Sequence, residues 1–113
     1  ISELEPLSFA GLKSIYSLKI PNQLIGSLRN RTFVGLDTLE SLELANNLIG
    51  NIEHDAFIEC QTLTLLDLSI NQIERLEQGI FRNLTSLTLL KLNMNKIKQI
   101  EPKVNKIESF FLN

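Results

Sequence analysis

Hydrophobic residues recur along this chain with a period of 24 residues. Phenylalanine stands at Phe9, Phe33, Phe57 and Phe81, and three residues after each comes Leu12, Leu36, Cys60 or Leu84. Three consecutive segments, residues 15–38, 39–62 and 63–86, fill one template, L-x-x-L-x-L-x-x-N-x-L-x-x-L-x-x-x-x-F-x-x-L-x-x. Self-similarity at a period of this length indicates a repeat protein, in which each repeat packs only against its neighbours.

The first seven positions of each repeat predict a short strand. Positions 1, 4 and 6 are apolar, as in Leu39, Leu42 and Leu44. Because side chains alternate along a strand, positions 4 and 6 point into the array while positions 3, 5 and 7 face outward on its concave side. Strands of successive repeats add in parallel about 4.8 Å apart. We expect five such strands, centred near Leu18, Leu42, Leu66, Leu90 and Phe110.

The template divides the chain, residues 1–113, into one domain made of a partial repeat 1–14, complete repeats 15–38, 39–62 and 63–86, a short repeat 87–106 and a partial repeat 107–113. A fourth repeat of full length would place Asn105 and Glu108 in the core, and burying two unpaired polar groups is costly. A 20-residue repeat instead places Val104 there and restarts the pattern at Ile107. Since both ends fall inside a repeat, we interpret the chain as an interior piece of a longer protein, or as the ordered part of one.

Polar residues also recur at a fixed place in the repeat. Asn47, Asn71 and Asn95 occupy position 9, where the chain leaves the strand and its backbone groups lose their ladder partners. A side-chain amide can both donate and accept hydrogen bonds at such a place. Gln23 occupies this position in the first complete repeat, so we expect its contact to be longer or absent.

The template resembles the typical 24-residue class of extracellular leucine-rich repeats, recognised by the phenylalanine at position 19 and by the phrase Asp55-Ala56-Phe57-Ile58-Glu59-Cys60. That class is found in Toll-like receptors, in secreted insect immune proteins and in adhesion and matrix proteins. The resemblance implies a β-rich α/β solenoid, a right-handed horseshoe with a parallel concave sheet and a mostly irregular convex side. It further implies an asparagine ladder (Asn47, Asn71, Asn95) and a stacked spine (Phe9, Phe33, Phe57, Phe81).

Charge is unevenly distributed along the chain. The net charge of −2 is the sum of +2 for residues 1–36, −8 for residues 37–77 and +4 for residues 78–113. This is not the uniformly basic stripe of a nucleic-acid-binding array, so no nucleic acid partner is expected. No apolar run approaches the roughly 20 residues that span a bilayer, and we expect no membrane contact within this segment.

Catalytic and metal-binding patterns are not evident. Cys60 is the single cysteine and stands where the other repeats have leucine, which predicts a buried, inert thiol. His54 lies between Glu53 and Asp55, but three consecutive residues of an extended backbone do not converge on one metal ion. Glycine-rich phosphate loops and triad spacings are missing as well. We therefore expect a protein that is not an enzyme and has no metal or cofactor.

Two sequons favour an extracellular location, either as a secreted protein or as the ectodomain of a membrane protein. They are Asn30-Arg31-Thr32 and Asn83-Leu84-Thr85, at repeat positions 16 and 21 on the side away from the strands. Each asparagine is a candidate glycosylation site, and either can remain unmodified since sequons also arise by chance. Leu84 occupies a core position, which restricts access to Asn83.

The outward positions suggest a binding surface in the later repeats. Positions 3 and 8 become apolar together, and with the flanking charges they give the candidate partner-binding set Leu65, Ile70, Leu89, Met94, Phe111, Asp67 and Lys91. In one interpretation, position 8 turns inward and position 3 is covered by a neighbouring segment. In the other, the set docks a partner protein or a second copy, since exposed apolar clusters rimmed by charge are typical of binding sites.

These observations predict an extracellular protein–protein recognition module, part of an innate-immune receptor ectodomain or a secreted immune factor. Its partner would be another protein or a pathogen-derived ligand, with homo- or heterodimerisation as a further option. The alternative is a structural adhesion or matrix leucine-rich repeat protein, in which the array mainly spaces and dimerises.

Overall fold

The computed structural model describes residues 4–5, 7, 9–77, 79–100 and 109–111, with the backbone alone for residues 99–100 and 109–111. The segment 101–108, which includes the expected core residue Val104 and the expected restart at Ile107, lies outside the described residues. The described part contains short strands joined by turns and no helix. In chain order the strands are β1 (Ser17–Lys19), β2 (Ser27–Leu28), β3 (Ser41–Glu43), β4 (Asn51–Ile52), β5 (Leu65–Asp67), β6 (Arg75–Leu76), β7 (Leu89–Lys91), β8 (Gln99–Ile100) and β9 (Ser109–Phe111).

One five-stranded parallel sheet forms the concave side, in the order β1-β3-β5-β7-β9. The residues at its centre are the five that the template predicts, for example Leu42 paired with Leu66. The register advances by 24 residues between the first four strands and by 20 residues from Leu90 to Phe110. The fold prediction of a parallel-sheet solenoid with an irregular convex side is therefore confirmed, and the last offset is consistent with a 20-residue repeat.

Two further pairs of short strands, β2-β4 and β6-β8, lie beyond the concave sheet. They occupy repeat positions 13 and 14, as in the pairing of Leu28 with Ile52. The sequence pattern did not predict them, because position 13 carries residues of mixed type. They are parallel because every repeat follows the same path as the one before it.

The core is a column of apolar side chains between the two sides. In the repeats of β3, β5 and β7 the leucines at positions 4 and 6, such as Leu42 and Leu44, have no exposed surface, whereas Leu18 in β1 is partly exposed. Burying a leucine contributes roughly 1.5–3 kcal/mol relative to exposure. The phenylalanines stack along the convex side, with ring centroids 5.9 Å apart for Phe9 and Phe33, 6.0 Å for Phe33 and Phe57, and 5.8 Å for Phe57 and Phe81.

The asparagines at position 9 link neighbouring repeats. Asn71 Nδ2 donates to the Leu44 carbonyl of the preceding repeat at 3.1 Å and to the Leu68 carbonyl of its own repeat at 3.1 Å. Its Oδ1 accepts from the Ile49 amide at 3.0 Å. Asn47 and Asn95 make the equivalent contacts. Gln23, by contrast, donates from Nε2 to the Pro21 carbonyl within its own repeat at 3.2 Å.

Candidate protein-binding surface

The first residue of each concave strand changes character along the array. Position 3 is Ser17 in β1 and Ser41 in β3, but Leu65 in β5 and Leu89 in β7. Leu65 and Leu89 are register partners, so their backbones are adjacent, and both side chains are half-buried. Together they form one part of the predicted binding surface.

Charged residues follow two positions later on the same strands. Lys19, Glu43, Asp67 and Lys91 are successive register partners at position 5. Lys19 Nζ lies 3.7 Å from Glu43 Oε2, an exposed contact of little energetic weight. Asp67 is buried, and its Oδ1 accepts from the Ser69 amide at 3.0 Å and from Ser69 Oγ at 2.6 Å. Lys91 has no ion pair within the described residues.

Position 8 lies in the turn just after each strand, and its residues all have left-handed backbone conformations. The φ angles are 60° for Asn22, 58° for Asn46, 55° for Ile70 and 61° for Met94. In the earlier repeats the side chains hydrogen-bond to each other, Asn46 Nδ2 donating to Asn22 Oδ1. In the later repeats they are the exposed apolar side chains of Ile70 and Met94, which we call the rim pair, 46% and 58% exposed respectively.

The rim pair lines a shallow groove of about 460 Å³ that crosses three repeats. The groove is also lined by Leu48, which is 49% exposed, by Gln72 and Lys96, and by ladder asparagines. The binding set predicted from the sequence lacks Leu48, Gln72 and Lys96. Their position, one residue after the ladder asparagine in consecutive repeats, is the signal that would have identified them.

The predicted binding set is divided between the two ends of the strands. Position 3 begins each concave strand, whereas position 8 lies in the turn that follows the strand. Between them lie Asp67 and Ser69, which are buried and bonded to each other. The structure thus brings Leu65 next to Leu89 and puts Ile70 and Met94 in one groove. For Phe111 it describes the backbone, which pairs with Lys91; the position of its side chain lies outside the described part.

The candidate glycosylation sites lie outside the concave strands, in the segments that follow β2 and β6. Asn30 is exposed, and its Oδ1 accepts from the Asp55 amide at 2.7 Å. A glycan attached to Nδ2 is compatible with that hydrogen bond, because the amide oxygen keeps its role as acceptor. Asn83 is half-buried and precedes the buried Leu84.

The acidic loop around His54 is tied to the next repeat by an arginine. Arg82 NH1 lies 2.7 Å from His54 Nε2, and Arg82 NH2 lies 2.7 Å from Asp55 Oδ1. Because a guanidinium only donates, Nε2 accepts in this contact, and His54 is structural here. Among the residues that the structure describes, no group of three metal-ligating side chains comes together.

Cys60 is buried in the core, 1% exposed. Burial raises the pKa of its thiol to about 12, and the nearby Glu59 carboxylate adds to this rise. A thiol with this pKa is protonated at neutral pH and is a poor nucleophile.

Within the same described ranges, no helix has the length and apolarity needed to cross a lipid bilayer.

Comparison with known proteins gives both a family and similar structures. The family model described as "Leucine rich repeat" matches residues 13–73 and 61–105. The crystal structure of the leucine-rich repeat domain of APL1B is 26% identical, with a TM-score of 0.84 over 98% of this chain, and this chain spans 33% of that one. The TLR13–ssRNA13 complex is 20% identical with a TM-score of 0.43, covering 98% of this chain and 23% of that one. A search of curated protein sequences finds no significant match.

Proposed function

This chain belongs to the leucine-rich repeat family, and we propose that it is an extracellular protein–protein recognition module. In this proposal it is part of an innate-immune receptor ectodomain or of a secreted immune factor, and it binds a protein or a pathogen-derived ligand. The similarity to the APL1B leucine-rich repeat domain over 98% of the chain supports a recognition role, and the two sequons support the extracellular location.

The main support for this proposal is the residue at position 3 of the concave strands, which is serine in β1 and β3 but leucine in β5 and β7. Ser17 and Ser41 occupy the strand position that Leu65 and Leu89 occupy later in the same sheet, so the fold does not require an apolar residue there. Apolar residues on a surface that folding leaves polar elsewhere are typical of interaction sites. The proposed interface comprises Leu65, Ile70, Leu89, Met94 and Phe111, with Asp67 and Lys91 beside them.

The same proposal excludes catalysis. Leucine-rich repeat proteins are typically recognition modules, and the ionisable groups that we describe have structural roles or face solvent. Cys60 is buried and protonated, and His54 is bound to Arg82. We propose that the chain acts through binding alone.

Glycosylation at Asn30 and Asn83 forms part of the proposal. Asn30 is the better acceptor, since it is exposed, whereas Asn83 is half-buried. Glycans on the side away from the strands leave the concave sheet and the groove open to a protein partner. Mass spectrometry of the secreted protein before and after enzymatic deglycosylation tests both sites.

The direct test of the recognition function replaces three apolar residues together. Leu65→Ser, Leu89→Ser and Met94→Ser in the intact protein should abolish association with its partner proteins, measured by surface plasmon resonance. The melting temperature should change little, since serine is already present at position 3 in β1 and β3 and Met94 is 58% exposed. Leu24→Ser is the matched control, because Leu24 is 62% exposed and lies outside the proposed interface. Unchanged association with an intact fold rules out the interface, and a large fall in melting temperature assigns these residues to the core.

A structural adhesion or matrix protein is the second candidate. The observation that favours it is the charge segregation, −8 over residues 37–77 beside +4 over residues 78–113, which makes parts of two copies complementary. Sedimentation at low and high salt distinguishes the candidates, since self-association through these charges weakens as salt increases.

A further inference from the structure

The turn after strands β5 and β7 holds two apolar residues in a backbone conformation that suits asparagine. Ile70 has φ 55° and Met94 has φ 61°, where the preceding repeats have Asn22 and Asn46. Asparagine tolerates the left-handed region, whereas a β-branched residue such as isoleucine is strongly disfavoured there.

The backbone, not the side chain, sets this conformation. The Ile70 amide donates to the Asn93 carbonyl at 2.9 Å, and the Asn46 amide donates to the Ser69 carbonyl at 3.1 Å. These bonds extend the contact between repeats past the strand ends, and the turn directs the following ladder asparagine into the core. Ile70 therefore adopts the conformation common to the repeats despite its side chain.

Burial within the chain does not offset this strain. Ile70 and Met94 remain 46% and 58% exposed, and the neighbouring Leu48 remains 49% exposed. The groove therefore exposes three apolar side chains, and two of them, Ile70 and Met94, belong to residues with a left-handed backbone. Exposed apolar side chains that neighbouring repeats bring together in one groove are typical of a binding surface.

The charge of the groove limits which kind of partner can bind in it. Lys96 is the ionisable residue among those that line it, and within the described ranges Lys96 has no ion pair. The neighbouring Lys98 is already paired with Glu74, the Nζ–Oε1 distance being 3.6 Å. An apolar strip beside an unpaired cation is complementary to an apolar side chain beside a carboxylate.

We propose that this groove docks an acidic segment of a partner protein, one that inserts an aliphatic or aromatic side chain against Ile70, Met94 and Leu48 and places a carboxylate near Lys96. The inference rests on the proposed recognition function and specifies the chemistry of the partner.

The experiment measures binding of short fluorescent peptides to the intact protein by anisotropy. One peptide alternates leucine or phenylalanine with glutamate, and the other has lysine in place of glutamate. The glutamate peptide should bind more tightly, and increasing salt should weaken it. Ile70→Asn and Met94→Asn should each weaken binding about tenfold or more, as expected for residues at the centre of an interface. Lys96→Glu should reverse the preference between the two peptides.

Melting temperatures provide the second readout. Ile70→Asn should raise the melting temperature of the intact protein by a few degrees, because asparagine relieves the backbone strain. Leu7→Asn is the matched control: Leu7 is 48% exposed with φ 64°, but it does not line the groove. This control should likewise raise the melting temperature and leave peptide binding unchanged.

Several outcomes overturn the inference. Equal binding of the two peptides would rule out the acidic partner, and an equal loss of binding in Leu7→Asn would rule out the groove as the binding site. A fall in melting temperature for Ile70→Asn shows that the residue serves folding. Loss of a dimer in that variant, seen by light scattering, identifies a second copy as the occupant. If Ile70→Asn leaves association with a partner protein intact, this inference fails while the recognition function stands.

Discussion

Two opposite demands act on the eighth residue of the repeat. The turn requires a left-handed backbone, which Asn22 and Asn46 supply at little cost, while Ile70 and Met94 supply it against their own preference. Their apolar side chains remain exposed, so packing does not explain the choice of residue. In the later repeats this position therefore combines a left-handed turn with an exposed apolar side chain.

A cysteine in the core makes the stability of the protein depend on pH. Burial raises the pKa of the Cys60 thiol to about 12, whereas the pKa of a cysteine thiol in an unfolded chain is about 8.5. Above that lower pKa the unfolded state loses a proton that the folded state keeps. The free energy of unfolding should therefore be unaffected by this thiol below pH ~8.5 and fall by up to about 1.4 kcal/mol per pH unit above it.

Urea denaturation between neutral and alkaline pH measures this effect. Cys60→Leu is the control, because Leu36 and Leu84 occupy the same repeat position, and it should remove this component of the pH dependence. The native thiol should also resist an aromatic disulfide reagent at neutral pH and react after unfolding. Rapid modification of the native protein would contradict the burial of Cys60.

At the scale of elements, a strand can be predicted from the sequence where the pattern of its side chains determines it. Where only the backbone geometry determines it, the sequence gives no signal. The concave strands were predicted because their alternation of inward and outward residues appears directly in the sequence. The strand pairs β2-β4 and β6-β8 were not predicted, because the side chains at position 13, those of Ser27, Asn51 and Arg75, have no chemical property in common. The groove was predicted only in part: Ile70 and Met94 were identified as apolar, but a left-handed turn is not evident from apolar residues.

The asparagine ladder gives a prediction at this scale. Asn71→Ala removes donors to the carbonyls of Leu44 and Leu68 and the acceptor for the Ile49 amide, all of them buried contacts. Leaving such groups unsatisfied should lower the free energy of unfolding by about 2–3 kcal/mol in urea titrations. Gln23→Ala should cost less, because the Gln23 side chain donates to the Pro21 carbonyl of its own repeat. Equal losses in the two variants would show that the ladder does not link repeats.

At the scale of the whole molecule, stability is divided among the contacts between adjacent repeats. Each concave strand pairs with those directly before and after it, and the ladder and the phenylalanine stack follow the same order. In such an array, stability is approximately the sum of repeat and interface contributions. Local damage should therefore have effects that decrease with distance along the array.

Leu66→Asp tests this expectation at the centre of the sheet. Leu66 is completely buried in β5, and an unpaired carboxylate there costs several kcal/mol, a large part of the stability of a typical domain. In hydrogen exchange of the intact protein, amides of β5 and of its neighbours β3 and β7 should lose most of their protection. Amides of β1, separated from β5 by a whole repeat, should lose less. The exposed Leu48→Asp is the matched control and should leave protection in the strands unchanged. Equal loss in β1, β3 and β7 would mean that the array unfolds as one unit, because coupling between repeats would then exceed the local cost of the buried charge.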